Sequence, residues 1–84
     1  MLVQLYCDET LILTFDGNRE EAGARLKHTV QDLGLTLDDE FELQNRLTVL
    51  FLNQGHKDLT YQAGRFRFTL RTAEKDAKAK GTTA

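Results

Sequence analysis

A single cysteine, Cys7, excludes a disulfide within the chain, and with only two histidines, His28 and His56, it offers none of the ligand spacings that close a zinc site. No apolar run approaches the roughly 18 residues of a membrane-spanning helix, and the first residues lack the basic, apolar and small-residue order of a secretory signal. Charge of one sign is not in excess: 11 Lys and Arg stand against 13 Asp and Glu, net −2, which argues neither for a polyanion binder nor for an acidic mimic of one. The multi-glycine pattern that cradles phosphates is missing too, since Gly17 and Gly64 stand singly in Asp16-Gly17-Asn18 and Ala63-Gly64. These absences point to a cytoplasmic chain with no membrane span, no metal and no cofactor. At 84 residues there is room for one domain, which buries only about 60 to 65% of its unfolded surface and so depends on its core or on a partner subunit.

What charge there is divides unevenly. Residues 1–53 hold four basic side chains (Arg19, Arg25, Lys27, Arg46) against ten acidic ones, whereas residues 54–84 hold seven against three. The two ends of the chain therefore differ in sign.

Leu2 to Cys7 and Leu11 to Phe15 each alternate apolar with polar, the signature of half-buried strands. Setting Val3 against Phe15, Leu5 against Leu13 and Cys7 against Leu11 puts both apolar triplets on one face and leaves Asp8-Glu9-Thr10 as a three-residue loop. Asn18 followed by Glu21 is a variant capping box, and Ala22, Leu26, Val30 and Leu33 then form one helical stripe from Arg19 to Leu33, ended by Gly34. Gly23 inside that helix costs about 1 kcal/mol relative to Ala, and either marks a point where a strand or another helix comes close or is accidental. Leu35 to Gly55 is best read as a second helix, begun by Thr36 and Asp39, acidic in its first turn as the helix dipole favours, and terminated by Gly55. The rival reading is two strands, Glu40 to Gln44 and Leu47 to Leu52. Leu59 to Gln62 and Arg65 to Thr72 alternate again, and a two-residue turn at Ala63-Gly64 pairs Tyr61 with Phe66 and Leu59 with Phe68. From Ala73 to Ala84 there is no large apolar side chain, so this charged tail is expected to be disordered, with residues 1–72 as the single domain.

Few residues suggest chemistry. Cys7 faces inward on a strand with no histidine near it in sequence and reads as a structural thiol; His28 lies off the apolar stripe and His56 in the polar loop Gln54 to Asp58, as solvated histidines do. Asp38, Asp39, Glu40 and Glu42 lack the glycine and alternating oxygens of a calcium loop and read as an acidic helix start. One basic constellation stands out: Arg65, Arg67 and Arg71 along one strand face, with Lys57 nearby, could meet successive phosphates or an acidic partner. The order helix, short turn, helix, hairpin over residues 19–72 resembles a winged helix-turn-helix module. In such a module residues 37–46 would enter the major groove, and the four carboxylates there would be repelled by phosphates.

The expected fold is α+β: an N-terminal hairpin, two helices and a C-terminal hairpin, with the hairpins in one antiparallel sheet and both helices on its inner face; the alternative keeps one helix and five or six strands. Leu5, Leu13, Phe15, Leu26, Val30, Leu47 and Phe68 are the expected core. The last turns of the second helix are apolar almost all round, so Val49, Leu50, Phe51 and Leu52 provide more apolar surface than one small sheet needs, which suits a subunit interface. The expected function is thus a small, non-enzymatic regulatory or accessory protein that binds protein, itself first, as a homodimer. A nucleic-acid-binding module using Lys57, Arg65, Arg67 and Arg71 is the alternative.

Overall fold

The computed structural model describes residues 1–72. It is an α+β fold of six elements: β1 (Leu2–Cys7), β2 (Thr10–Asp16), α1 (Arg19–Asp32), α2 (Leu37–Leu52), β3 (Leu59–Ala63) and β4 (Phe66–Thr72). The four strands form one antiparallel sheet in the order β2-β1-β4-β3. The expectation for residues 73–84 lies outside the described residues.

Alternation in the strands builds the inner face of the sheet in cross-strand rows. Phe15, Val3 and Thr72 form one row, Leu13, Leu5, Leu70 and Leu59 the next, and Cys7, Phe68 and Tyr61 a third. Onto these rows α1 sets Ala22, Leu26 and Val30, and α2 sets Leu43, Leu47 and Leu50, all buried with Val3, Leu5, Ala63, Phe68 and Leu70 in one cluster. Each helix contributes side chains three or four residues apart, the spacing that aligns one stripe of a helix toward a sheet. Five of the seven expected core residues are fully buried; Leu13 and Phe15, on the edge strand β2, are half-buried and pack against the cluster. Leu33 departs from the expected stripe: it is the C-cap of α1, beyond the last helical turn, and is exposed.

Both hairpins turn differently from the sequence expectation. In the first, Val3 opposes Phe15 and Leu5 opposes Leu13 as expected, but a bulge then brings Leu11 opposite Tyr6 and Thr10 opposite Cys7. The turn shortens to Asp8-Glu9, with Asp8 in the left-handed region at φ 55°, a conformation that aspartate tolerates better than most residues. Asp8 also extends the β1–β4 pairing: its N–H donates to the Arg67 carbonyl at 2.7 Å, and its carboxylate accepts from the Arg67 N–H at 3.2 Å. In the second hairpin the turn is Gly64-Arg65 rather than Ala63-Gly64, and the pairs become Ala63 with Phe66, Tyr61 with Phe68 and Leu59 with Leu70. A two-residue hairpin turn favours glycine at its first central position, and Gly64 sits there with φ 61°. Pairing moves by two residues, so the same side chains keep the inner face.

The segment between Leu35 and Gly55, open to two readings in the sequence, is helical. Thr36 and Asp39 make a reciprocal capping box at the start of α2, the counterpart of Asn18 and Glu21 at α1, and each box satisfies two otherwise orphaned backbone donors. At its other end α2 closes with the Gln54 N–H on the Phe51 carbonyl and the Gly55 N–H on the Leu50 carbonyl. Gln54, at φ 56°, takes the first left-handed position there, and Gly55 follows it.

Candidate functional site

Polar ties on both flanks of α2 decide which of its faces meets solvent. Toward α1, the Arg19 Nε donates to the Thr48 hydroxyl at 2.9 Å, the Arg19 Nη2 to the Gln44 carbonyl at 3.1 Å, and the Gln44 amide to the Gly23 carbonyl at 2.8 Å. A Cβ at Gly23 would run into the Arg19 guanidinium and come within 2.9 Å of the Gln44 side-chain oxygen. The glycine is therefore where the two helices approach, one of the two readings its place in the sequence allows. Toward the edge strand β3, the Arg46 Nε donates to the Thr60 carbonyl at 2.7 Å and the guanidinium lies 4.7 Å over the Tyr61 ring, while Nη1 pairs with Glu42 at 2.7 Å. The Tyr61 hydroxyl donates to Asp39 at 2.7 Å.

With Gln44 and Thr48 turned to α1, Arg46 to β3, and Leu43, Leu47 and Leu50 to the sheet, the remaining face of α2 points outward. It carries Leu37 (82% exposed), Phe41 (65%) and Leu52 (79%), with Val49 (43%) at its side. Leu37, Phe41, Asn45, Val49 and Leu52 fall at i, i+4, i+8, i+12 and i+15, one continuous stripe about 22 Å long. Scattered single apolar residues on a surface need no explanation; a stripe of this regularity does. Four large apolar residues exposed along one helix face make an apolar patch of the kind that marks an interaction surface.

Of the four side chains expected at an interface, Val49 and Leu52 are exposed. Leu50 is fully buried in the core and Phe51 is half-buried against it. The apolar surplus of the sequence is real, but it is turned away from Leu50 and extends to the N-terminal turns. Leu37 and Phe41 escape a linear reading because the run Val49 to Leu52 dominates it. Once the segment is helical, the inward spacing of Leu43, Leu47 and Leu50 leaves Leu37 and Phe41 facing out.

The basic residues fall elsewhere. Arg67 and Arg71 lie on the open face of β4, opposite Gln62 and Gln4, about 13 Å apart along the strand. Arg65 is in the β3–β4 turn and Lys57 in the loop before β3, at the opposite end of that hairpin. Arg67 has Asp8 bound to its backbone, and Lys57 is followed by Asp58. The four are thus spread over the length of the hairpin, with carboxylates among them.

The acidic run at the start of α2 is engaged in structure. Asp39 is held below the usual carboxylate range by the Tyr61 hydroxyl, and further by the backbone and side chain of Thr36, while the same contact raises the Tyr61 phenol. Among the described residues no three His, Cys, Asp or Glu side chains come together as a metal-holding group. Cys7 lines a small apolar pocket of about 120 Å³ with Leu33, Leu35, Phe66 and Phe68. Burial, helped by the charge of Asp8, pushes its thiol up, which disfavours the thiolate that nucleophilic chemistry needs. His28 sits in an open groove beside α1 with Phe15, Glu21 and Arg25, whose guanidinium lies 5.4 Å from the Phe15 ring centre. No helix among the described residues is long and apolar enough to cross a membrane.

No protein-family model, curated protein or solved structure matches the chain.

Proposed function

We propose that the chain is a small, non-enzymatic regulatory or accessory protein that acts by binding protein through the outward face of α2, and that it works as a homodimer. The observation that carries this reading is the stripe Leu37, Phe41, Leu52 with Val49 beside it, exposed on a helix otherwise fixed on three sides. Amphipathic helices recognise partners through anchors at this spacing, and the burial of apolar surface supplies the driving force. With Asn45 inside the stripe and Asp38 and Glu42 flanking it, the face has the apolar centre and polar margin of a protein interface. A domain this small gains most from such burial, because its own core is limited.

Sedimentation equilibrium at tens of micromolar tests the proposal. The wild type is expected at twice its 9.6 kDa chain mass, and Phe41→Glu or Leu52→Glu at the monomer mass with unchanged circular dichroism. Both positions are exposed, so a charge there should cost folding little. A wild type that sediments as a monomer at these concentrations would remove the homodimer, and glutamates without effect on a dimer would remove this face.

A further inference from the structure

Resting on that reading of α2, we infer that the partner is a second copy of this chain docked antiparallel, α2 on α2, with the twofold axis at Asn45. The exposed stripe is close to a palindrome about this residue. Leu37 lies eight positions before Asn45 and Leu52 seven after it, while Phe41 lies four before and Val49 four after. An antiparallel pair crossing at Asn45 therefore sets Leu37 of each copy against Leu52 of the other and Phe41 against Val49. A single surface serves both subunits, as a twofold axis requires.

Charge chooses this direction over the parallel one. The first turn of α2 carries Asp38, Asp39 and Glu40, and no basic residue offsets them in the last turn. Parallel docking would set the two acidic first turns side by side, with the exposed Asp38 of one copy near that of the other, and align two helix dipoles, an arrangement like charges oppose. Antiparallel docking brings each acidic turn to the other copy's helix end, where the exposed His56 and Lys57 follow. The two Asn45 amides meet at the axis and can donate and accept between themselves. A lone polar pair in an apolar helical seam sets register at some cost in stability.

Geometry makes the inference testable by cysteine cross-linking. Helices packed about 8 to 10 Å apart bring directly facing Cα atoms within about 3.4 to 5.4 Å, which overlaps the range of about 4.4 to 6.8 Å that a disulfide spans. In a Cys7→Ala background, which leaves the new thiol as the only one, Asn45→Cys is expected to oxidise to a covalent dimer in solution. Leu37→Cys is expected to remain monomeric on a non-reducing gel, because antiparallel docking separates the two copies of residue 37 by about 24 Å. Joining Leu37→Cys chains with Leu52→Cys chains should restore cross-linking in the mixture only. Rapid disulfide formation by Leu37→Cys alone, or none by Asn45→Cys, in a protein that sediments as a dimer would overturn the antiparallel inference and leave the binding face intact. A monomeric wild type would overturn both.

Discussion

Gly55 and Gly34 share a backbone conformation and differ in what surrounds them, so alanine at each separates strain from collision. Gly34, at φ 72°, has open space where a Cβ would stand; Gly55, at φ 76°, is buried, and a Cβ there would run into the Thr72 Cγ2 and lie 3.1 Å from the Thr72 Cβ. The left-handed conformation costs an alanine about 1 to 2 kcal/mol, part of which is returned because alanine leaves the unfolded chain less entropy to lose, about 0.4 to 1 kcal/mol. Gly34→Ala should therefore destabilise by about 1 kcal/mol. Gly55→Ala adds an overpacking cost of about 1 to 3 kcal/mol, because its obstacle is a β-branched residue at the end of a central strand, buried and unable to swing aside. The total of about 2 to 4 kcal/mol should lower Tm by about 8 °C or more in a domain of this size, at about 4 to 8 °C per kcal/mol. Thr72→Ser deletes the obstructing methyl and should make the Gly55 substitution cheaper by about 1 kcal/mol in a double-mutant cycle. Thermal melts of the four variants give the answer. Equal Tm losses at Gly34 and Gly55, or no coupling to Thr72, would refute the close packing of the α2–β3 loop against β4.

Leu26→Ala, in the buried stripe of α1, should cost about 2 to 5 kcal/mol, a large share of the stability of so small a domain; an unchanged urea midpoint would mean that the helix does not pack on the sheet as described. Because the folded pKa of Asp39 is depressed, its bond to Tyr61 stabilises the fold above the unfolded carboxylate pKa of about 4 and is lost as pH falls through the folded value. The stability difference between wild type and Tyr61→Phe, followed by denaturant melts, should accordingly be largest near neutral pH and shrink below about pH 4. A difference that stays constant on acidification from neutral pH would show that the hydroxyl does not act through this carboxylate.

Local chemistry makes most of the fold legible in the chain itself. Two capping boxes, two apolar stripes and four alternating runs are each encoded within a few residues, because a cap needs one side chain at a fixed offset and a face needs only a period. The inner face of the sheet is legible for the same reason except at Leu11, which the bulge leaves exposed while Ile12 packs against the core, and it survives a turn displaced by one residue at Gly64, since the pairing moves by two. What only the tertiary structure decides is rotation and partnership. The sequence of α2 is apolar on too many sides to say which side is inside, and the choice is made by contacts from distant residues: Arg19 and Gly23 on α1, Thr60 and Tyr61 on β3. Those contacts, 14 to 29 residues away along the chain for the hydrogen bonds just named, turn Leu50 inward and leave Leu37, Phe41 and Leu52 facing water. A periodic pattern specifies that a helix has faces, and only the neighbours it packs against determine which face is left to bind something else.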